Sequence, residues 1–210
     1  MKRRFPLAAA FAVLATTAAA QPPAPGDDLL VRMAAVNSGL HAFSAKMRAH
    51  VALESFPFLS ADLTGTYYYK QPDKTKVVFT GGVPLVAAQF DKLYAHIESP
   101  SRWRSIYTVT LASDDGRTAL FTLVPRKQGN VQRIDATVDD KSATVTRMRW
   151  NYENGGYAEL NDRYGSVGGY LVVQSQSGHV QEPGYVANIT SVLDGYTMNP
   201  NLSDDLFEQK

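Results

Sequence analysis

The sequence predicts a mainly antiparallel β domain of the α+β type, with a sheet long enough that it must curl on itself. Three observations predict it. From Phe43 onward, apolar and polar residues alternate with period two, as in strands with one wet face. Turn signals such as Asp114-Asp115-Gly116 and Glu153-Asn154-Gly155-Gly156 punctuate these runs at regular spacing. The runs amount to roughly nine or ten short strands, more than a flat open sheet carries comfortably.

The elements follow in order. Lys2, Arg3 and Arg4 precede a short apolar run, Phe5 to Ala15, and then Ala18-Ala19-Ala20. That order of charge, apolar stretch and small residues reads as a secretory signal over residues 1–20. The run is too short and too rich in alanine for a spanning helix, which needs about 20 apolar residues. Residues 21–26 are Pro-rich and read as a flexible leader. Asp27 and Asp28 suit a helix N-terminus, and Leu29, Leu30, Met33, Val36 and Leu40 form one helical stripe after them. Phe43, Ala45, Met47, Ala49, Val51 and Leu53 then alternate with polar neighbours as a half-buried strand.

Leu63 to Lys70 forms the next strand, Gln71-Pro72-Asp73-Lys74 turns it, and Thr75 to Phe79 returns. Residues 81–105 break the pattern: Leu85, Ala88, Leu93 and Ile97 fall at helical spacing before Ser99-Pro100. Strands resume as Tyr107 to Ala112, Thr118 to Pro125, Val131 to Asp139, Ser142 to Tyr152, Tyr157 to Tyr164, Gly169 to Ser177 and Val186 to Leu193. No internal repeat or second domain is visible, so residues 27–210 read as one domain.

Composition narrows the function classes. Twenty-one basic and twenty acidic residues give a net charge of +1, with no basic block to track a phosphate backbone, which argues against nucleic acid. There is no cysteine, hence no disulfide and no lipid-bearing cysteine after the signal. No stable membrane anchor is expected. Stability must come from an ordinary core, for which roughly 190 residues suffice. His41, His50, His96 and His179 lack metal-ligand spacing. His50 and Glu54 share the polar face of one strand, and Asp139-Asp140 and Asp204-Asp205 fit a turn and a tail. No nucleophile elbow, P-loop or calcium loop is present. The expectation is no enzyme, no metal and no cofactor. A curled sheet with helices over its concave face leaves two options for the space between: packed core, or a cavity for an apolar ligand.

The order of elements resembles a known family. A strand ends in Lys70-Gln71-Pro72, a helical insertion follows, and a later strand reads Phe121-Thr122-Leu123-Val124-Pro125 within Ala119 to Lys127. The tail from Asn199 to Glu208 places an aromatic after an acidic turn. Together these look like the periplasmic outer-membrane lipoprotein carrier, or LolA-like lipoprotein-sorting, family. The resemblance implies an incomplete curled β-barrel with helices as a lid over an apolar cavity. It implies a periplasmic, non-catalytic carrier for lipoprotein acyl chains or related lipids, served by membrane-bound donor and acceptor proteins.

Candidate cavity residues then follow from parity and position, each also readable as plain core. They are Met33, Val36 and Leu40 from the first helix, Met47, Val51 and Leu53 from the first strand, Phe121 and Leu123 from the motif strand, and Leu85, Phe90 and Leu93 from the lid. In the family an Arg before the Pro bonds towards the lid. Gln71 stands there instead and cannot make that charge-assisted contact, so lid control would differ. The alternative is an envelope sensor or protein-interaction module on the same fold, using Tyr67, Tyr69, Trp103 and Arg104 as exposed contacts.

Overall fold

The computed structural model describes residues 24–55, 59–81 and 98–208. The expected signal (1–20), most of the leader, the insertion helix and the lid candidates Leu85, Phe90 and Leu93 lie outside the described residues. Among the described residues, no helix is long and apolar enough to cross a membrane.

The strands are β1 (Ala42–Leu53), β2 (Ser60–Lys70), β3 (Lys74–Phe79), β4 (Tyr107–Asp114), β5 (Thr118–Pro125), β6 (Val131–Asp139), β7 (Thr144–Tyr152), β8 (Tyr157–Val167), β9 (Tyr170–Glu182) and β10 (Tyr185–Met198). They form one ten-stranded antiparallel sheet in the order β3-β2-β1-β10-β9-β8-β7-β6-β5-β4. β3 and β4 do not pair, so the curled sheet stays open between them. The seam is β1 against β10, with Met47 opposite Leu193 and Val51 opposite Ile189.

Strand parity sets one face inward. β1 buries Ala45, Met47, Ala49, Val51 and Leu53 and exposes Lys46, Arg48 and His50, as the alternation predicts. Across β5 and β6, Phe121 pairs with Ala136 and Leu123 with Ile134, and all four are sealed from solvent. β9 and β10 run longer than expected. Residues such as His179 and Asn188 keep the ladder going with polar side chains that bond each other, Nδ1 to Oδ1, at 2.7 Å. The β4–β5 hairpin forms where its turn signal predicts. Asp115 Oδ1 accepts from the backbone N–H groups of Arg117 and Thr118 at 2.9 and 2.7 Å, which lowers its pKa.

Helix α1 (Asp27–Ala35) lies over the β4–β7 side of the concave face, burying Leu29, Leu30 and Met33. Gly26 enters it at φ +82°, and a Cβ there would stand 2.8 Å from the Phe121 ring. The helix is shorter than its stripe suggests. It stops at Ala35, and Asn37 turns left-handed (φ 58°), with its amide paired both ways to the Leu171 backbone at 2.6 and 2.9 Å. Val36 and Leu40 therefore sit beyond the helix, not on it. Arg32 ties the helix to Asp140 at 2.6 Å, and Asp27 pairs with Arg104.

Residues 98–106 cross the open edge as a 3₁₀ turn (Pro100–Arg102) and helix α2 (Trp103–Ile106). Arg102 pairs with Asp73 in the β2–β3 turn. Trp103 is 1% exposed, edge-on to Phe121 with ring centroids 6.3 Å apart. The expectation of an exposed Trp103 is thereby corrected: an indole beside α1 gains far more from burial than from solvent.

Candidate functional site

The concave face divides into three zones. Under α1 it is dry and packed: Ala119, Phe121, Leu123, Ala136 and Val138 are wholly inaccessible. A second buried cluster joins Met47, Val51, Leu53, Leu63, Val77 and Ile189. Between and beside them lie two cavities.

The larger, about 930 Å³, is walled by Ile106, Tyr107, Pro125, Val131, Ile134, Trp150, Tyr152, Val180 and Tyr185 among the described residues. Its polar residues are Glu98, Arg102, Ser105, Arg126, Lys127, Asn130 and Glu182. That size and mix, apolar walls with a few polar groups, suits a small-molecule or chain-like ligand. Tyr107 donates its hydroxyl to Glu98 Oε2 at 2.7 Å, and burial, then the Glu98 carboxylate, push its pKa well up. Burial, reinforced by Glu182, also raises Tyr152. These phenols stay neutral at physiological pH.

The smaller cavity, about 400 Å³, is lined by residues from α1 and its following turn (Met33, Val36, Leu40), the β1–β2 rings Phe43, Tyr67 and Tyr69, the crossing segment and β7–β9. Phe43 stacks on Tyr67 and Tyr69, centroids 5.7 and 5.2 Å apart. Glu98 and Trp150 line both cavities and form the wall between them.

One polar row interrupts the apolar face. Asp162 on β8, Gln176 on β9 and Ser191 on β10 stand side by side in register. Gln176 Nε2 donates to Asp162 Oδ1 at 2.8 Å, and Ser191 Oγ donates to Gln176 Oε1 at 3.4 Å. Desolvation outweighs the Gln176 hydrogen bond and pushes the Asp162 carboxyl up to about 6. Tyr164, whose hydroxyl donates to the Val145 carbonyl at 2.9 Å, is raised by burial and by Asp162.

The sequence candidates distribute unevenly over these zones. Met33, Val36 and Leu40 line the smaller cavity, as does Gln71. Met47, Val51 and Leu53 fall in the second cluster, and Phe121 and Leu123 in the dry core; none of the five lines either cavity. Gln71 faces His41, Oε1 to Nδ1 at 3.4 Å, and its N–H donates to the His41 carbonyl at 2.9 Å. Lys70, the basic residue of the Lys-Gln-Pro motif, holds the tail instead, donating to Leu202 O and Asp204 Oδ1 at 2.8 Å each. Lys70 and Lys74 keep the Asp204 carboxyl down at about 2. Of the supposed interface residues, Tyr67 and Tyr69 line the smaller cavity, and Arg104 pairs with Asp27.

Sequence reasoning missed Ile134, Trp150, Val180 and Tyr185 of the large cavity and Asp162 of the small one. Parity alone places all five inward. Which inward residues face space is decided by α1, and nothing local in the sequence says so. Asp162 did carry a signal: it is a charged residue in phase with Ala158 and Leu160 on the inward face of β8.

No protein-family model matches the sequence, and no curated protein is significantly similar to it. Solved structures do match in fold. A DUF1329 family protein from Desulfovibrio piger superposes with a TM-score of 0.62 at 14% identity, over 86% of this chain and 95% of that one. A domain from Vibrio parahaemolyticus assigned to outer-membrane lipoprotein sorting gives 0.64 at 9% identity, over 86% and 94%. A LolA superfamily protein from Nitrosomonas europaea gives 0.61 at 10% identity, over 88% and 97%. The chain has the LolA-like fold.

Proposed function

We propose that this protein is a non-catalytic binding and carrier protein for lipoprotein acyl chains or related lipids, exported to the periplasm by its N-terminal signal. The observation that supports this most is the 930 Å³ cavity with apolar walls on the concave face of an open, LolA-like sheet. An acyl chain gains ~0.8 kcal/mol for each CH2 it buries, so carrying one through water demands such a space. Among the described residues β3 and β4 do not pair, so the sheet is unclosed on that side. The lipoprotein-sorting assignment of one fold neighbour points the same way.

The test is uptake of a fluorescent phospholipid or a lipopeptide from vesicles by the purified protein. Saturable uptake near one ligand per chain is expected, competed by unlabelled lipid. Absence of uptake of either probe would contradict the proposal. Turnover of ester or glycan substrates would replace it with a hydrolytic function.

A further inference from the structure

We infer that the smaller cavity is a headgroup subsite for an organic cation, an ammonium or quaternary ammonium group held between Asp162 and the aromatic rings beside it. The inference deepens the carrier proposal and rests on it for the apolar chain, which would occupy the adjoining larger cavity.

The charge pattern carries the argument. Two carboxylates, Asp162 and Glu98, line this cavity, and no Lys, Arg or His does so among the described residues. Among the described residues Asp162 uses one acceptor site, for Gln176, although an ionised carboxylate offers about four. Setting such a group in an apolar face is costly unless something satisfies it. The fold nevertheless orients it: Ser191, 2% exposed, fixes the Gln176 amide, and the amide fixes the carboxylate. The surroundings suit a soft cation. Phe43, Tyr67, Tyr69, Trp103, Trp150 and Tyr164 all contribute to the walls, and aromatic faces attract ammonium groups. Among the described residues an anionic headgroup would meet two carboxylates and no cationic side chain here. The basic residues Arg102, Arg126 and Lys127 belong to the other cavity, on the far side of Glu98 and Trp150. An amphiphile with its chain in the large cavity and its ammonium group in the small one would straddle that shared wall.

Two measurements test it. The first titrates tetramethylammonium and ethanolamine into the full wild-type protein, followed by backbone amide NMR. Shifts clustered on the amides of β8, β9 and of Phe43, Tyr67 and Tyr69 are expected. The second compares uptake of ethanolamine-headed and glycerol-headed phospholipids with identical chains. A preference for the ethanolamine head of about tenfold, the usual weight of a charge-assisted contact, is expected. Asp162→Asn should abolish that preference while chain uptake persists.

Equal uptake of both lipids, with no amide shifts from either small cation, overturns the subsite and leaves the carrier standing. A preference retained in Asp162→Asn also overturns it. Small-cation shifts without lipid uptake support the subsite and overturn the carrier. The wild-type titration requires no variant, so the inference remains exposed even if Asp162→Asn fails to fold.

Discussion

The β4–β7 half of the concave face and its β8–β10 half are built from the same antiparallel ladder, yet they solve burial differently. Under α1, Ala119, Phe121, Leu123, Ala136 and Val138 are apolar and sealed, while Pro125, Val131 and Ile134 of the same two strands reach the larger cavity. Across β8–β10 one inward row is Asp162, Gln176 and Ser191, of which Asp162 lines the smaller cavity beside aromatic rings. The first half is optimised for stability. The second holds a carboxylate whose ionised form is disfavoured by burial, as the proposed headgroup subsite requires.

The largest expected effect falls on the dry half. Phe121→Ala removes a fully buried ring beneath Gly26 and Trp103 and should cost about 3–5 kcal/mol in urea unfolding. A charge at Phe121 should likewise remove fold and ligand loading together, since the ring lines no cavity. Selective loss of loading with the fold intact would break the comparison.

Asp162→Asn should act in the opposite direction. Its carboxyl titrates at about 6 in the fold against an ordinary 3.8. A raised value means a stabilising contribution that is full below pH ~3.8 and lost as pH climbs through ~6. Among the described residues, Tyr164 and Tyr196 are raised by burial and by Asp162 and are neutral throughout this window, and Glu98, Tyr67 and Tyr69 line the same cavity. The variant should therefore be about 1–3 kcal/mol more stable than wild type at pH 8 and nearly equal at pH 4. Destabilisation at both pH values would show Asp162 to be a structural hydrogen-bonding residue only.

Smaller effects sharpen the division. Val131→Trp places bulk into the large cavity from a partly exposed position. Stability should change by less than about 1 kcal/mol, while lipid uptake falls several-fold. The smallest change is Arg32→Ala. Its ion pair with Asp140 is partly exposed, so about 0.2–1 kcal/mol is expected, with Leu29, Leu30 and Met33 still holding α1 in place.

The two halves also differ in how much the sequence discloses. Strand positions were legible because period-two alternation and Asp/Asn/Gly turns are local signals, and β1, β5 and β6 appear where alternation puts them. The motif strand was legible as apolar, with Phe121 and Leu123 readable as core sooner than as cavity, and the weight of α1 and Trp103 on them is a tertiary fact. The helix stripe ran past Ala35 in sequence because periodicity does not register that the Asn37 side chain prefers the Leu171 backbone. Asp162 stands in sequence among other polar residues, Glu159, Asn161 and Arg163. Its parity with Leu160 held the clue, and its pairing with Gln176 required the register of β8 against β9.

The most direct test of the central claim is native mass spectrometry of the protein expressed from its full chain and recovered from the cell envelope without detergent. A stoichiometric added mass that extracts into organic solvent as an acyl-bearing lipid, and that is diminished in Val131→Trp, is expected. A bare chain mass that takes up neither added phospholipid nor lipopeptide would contradict it.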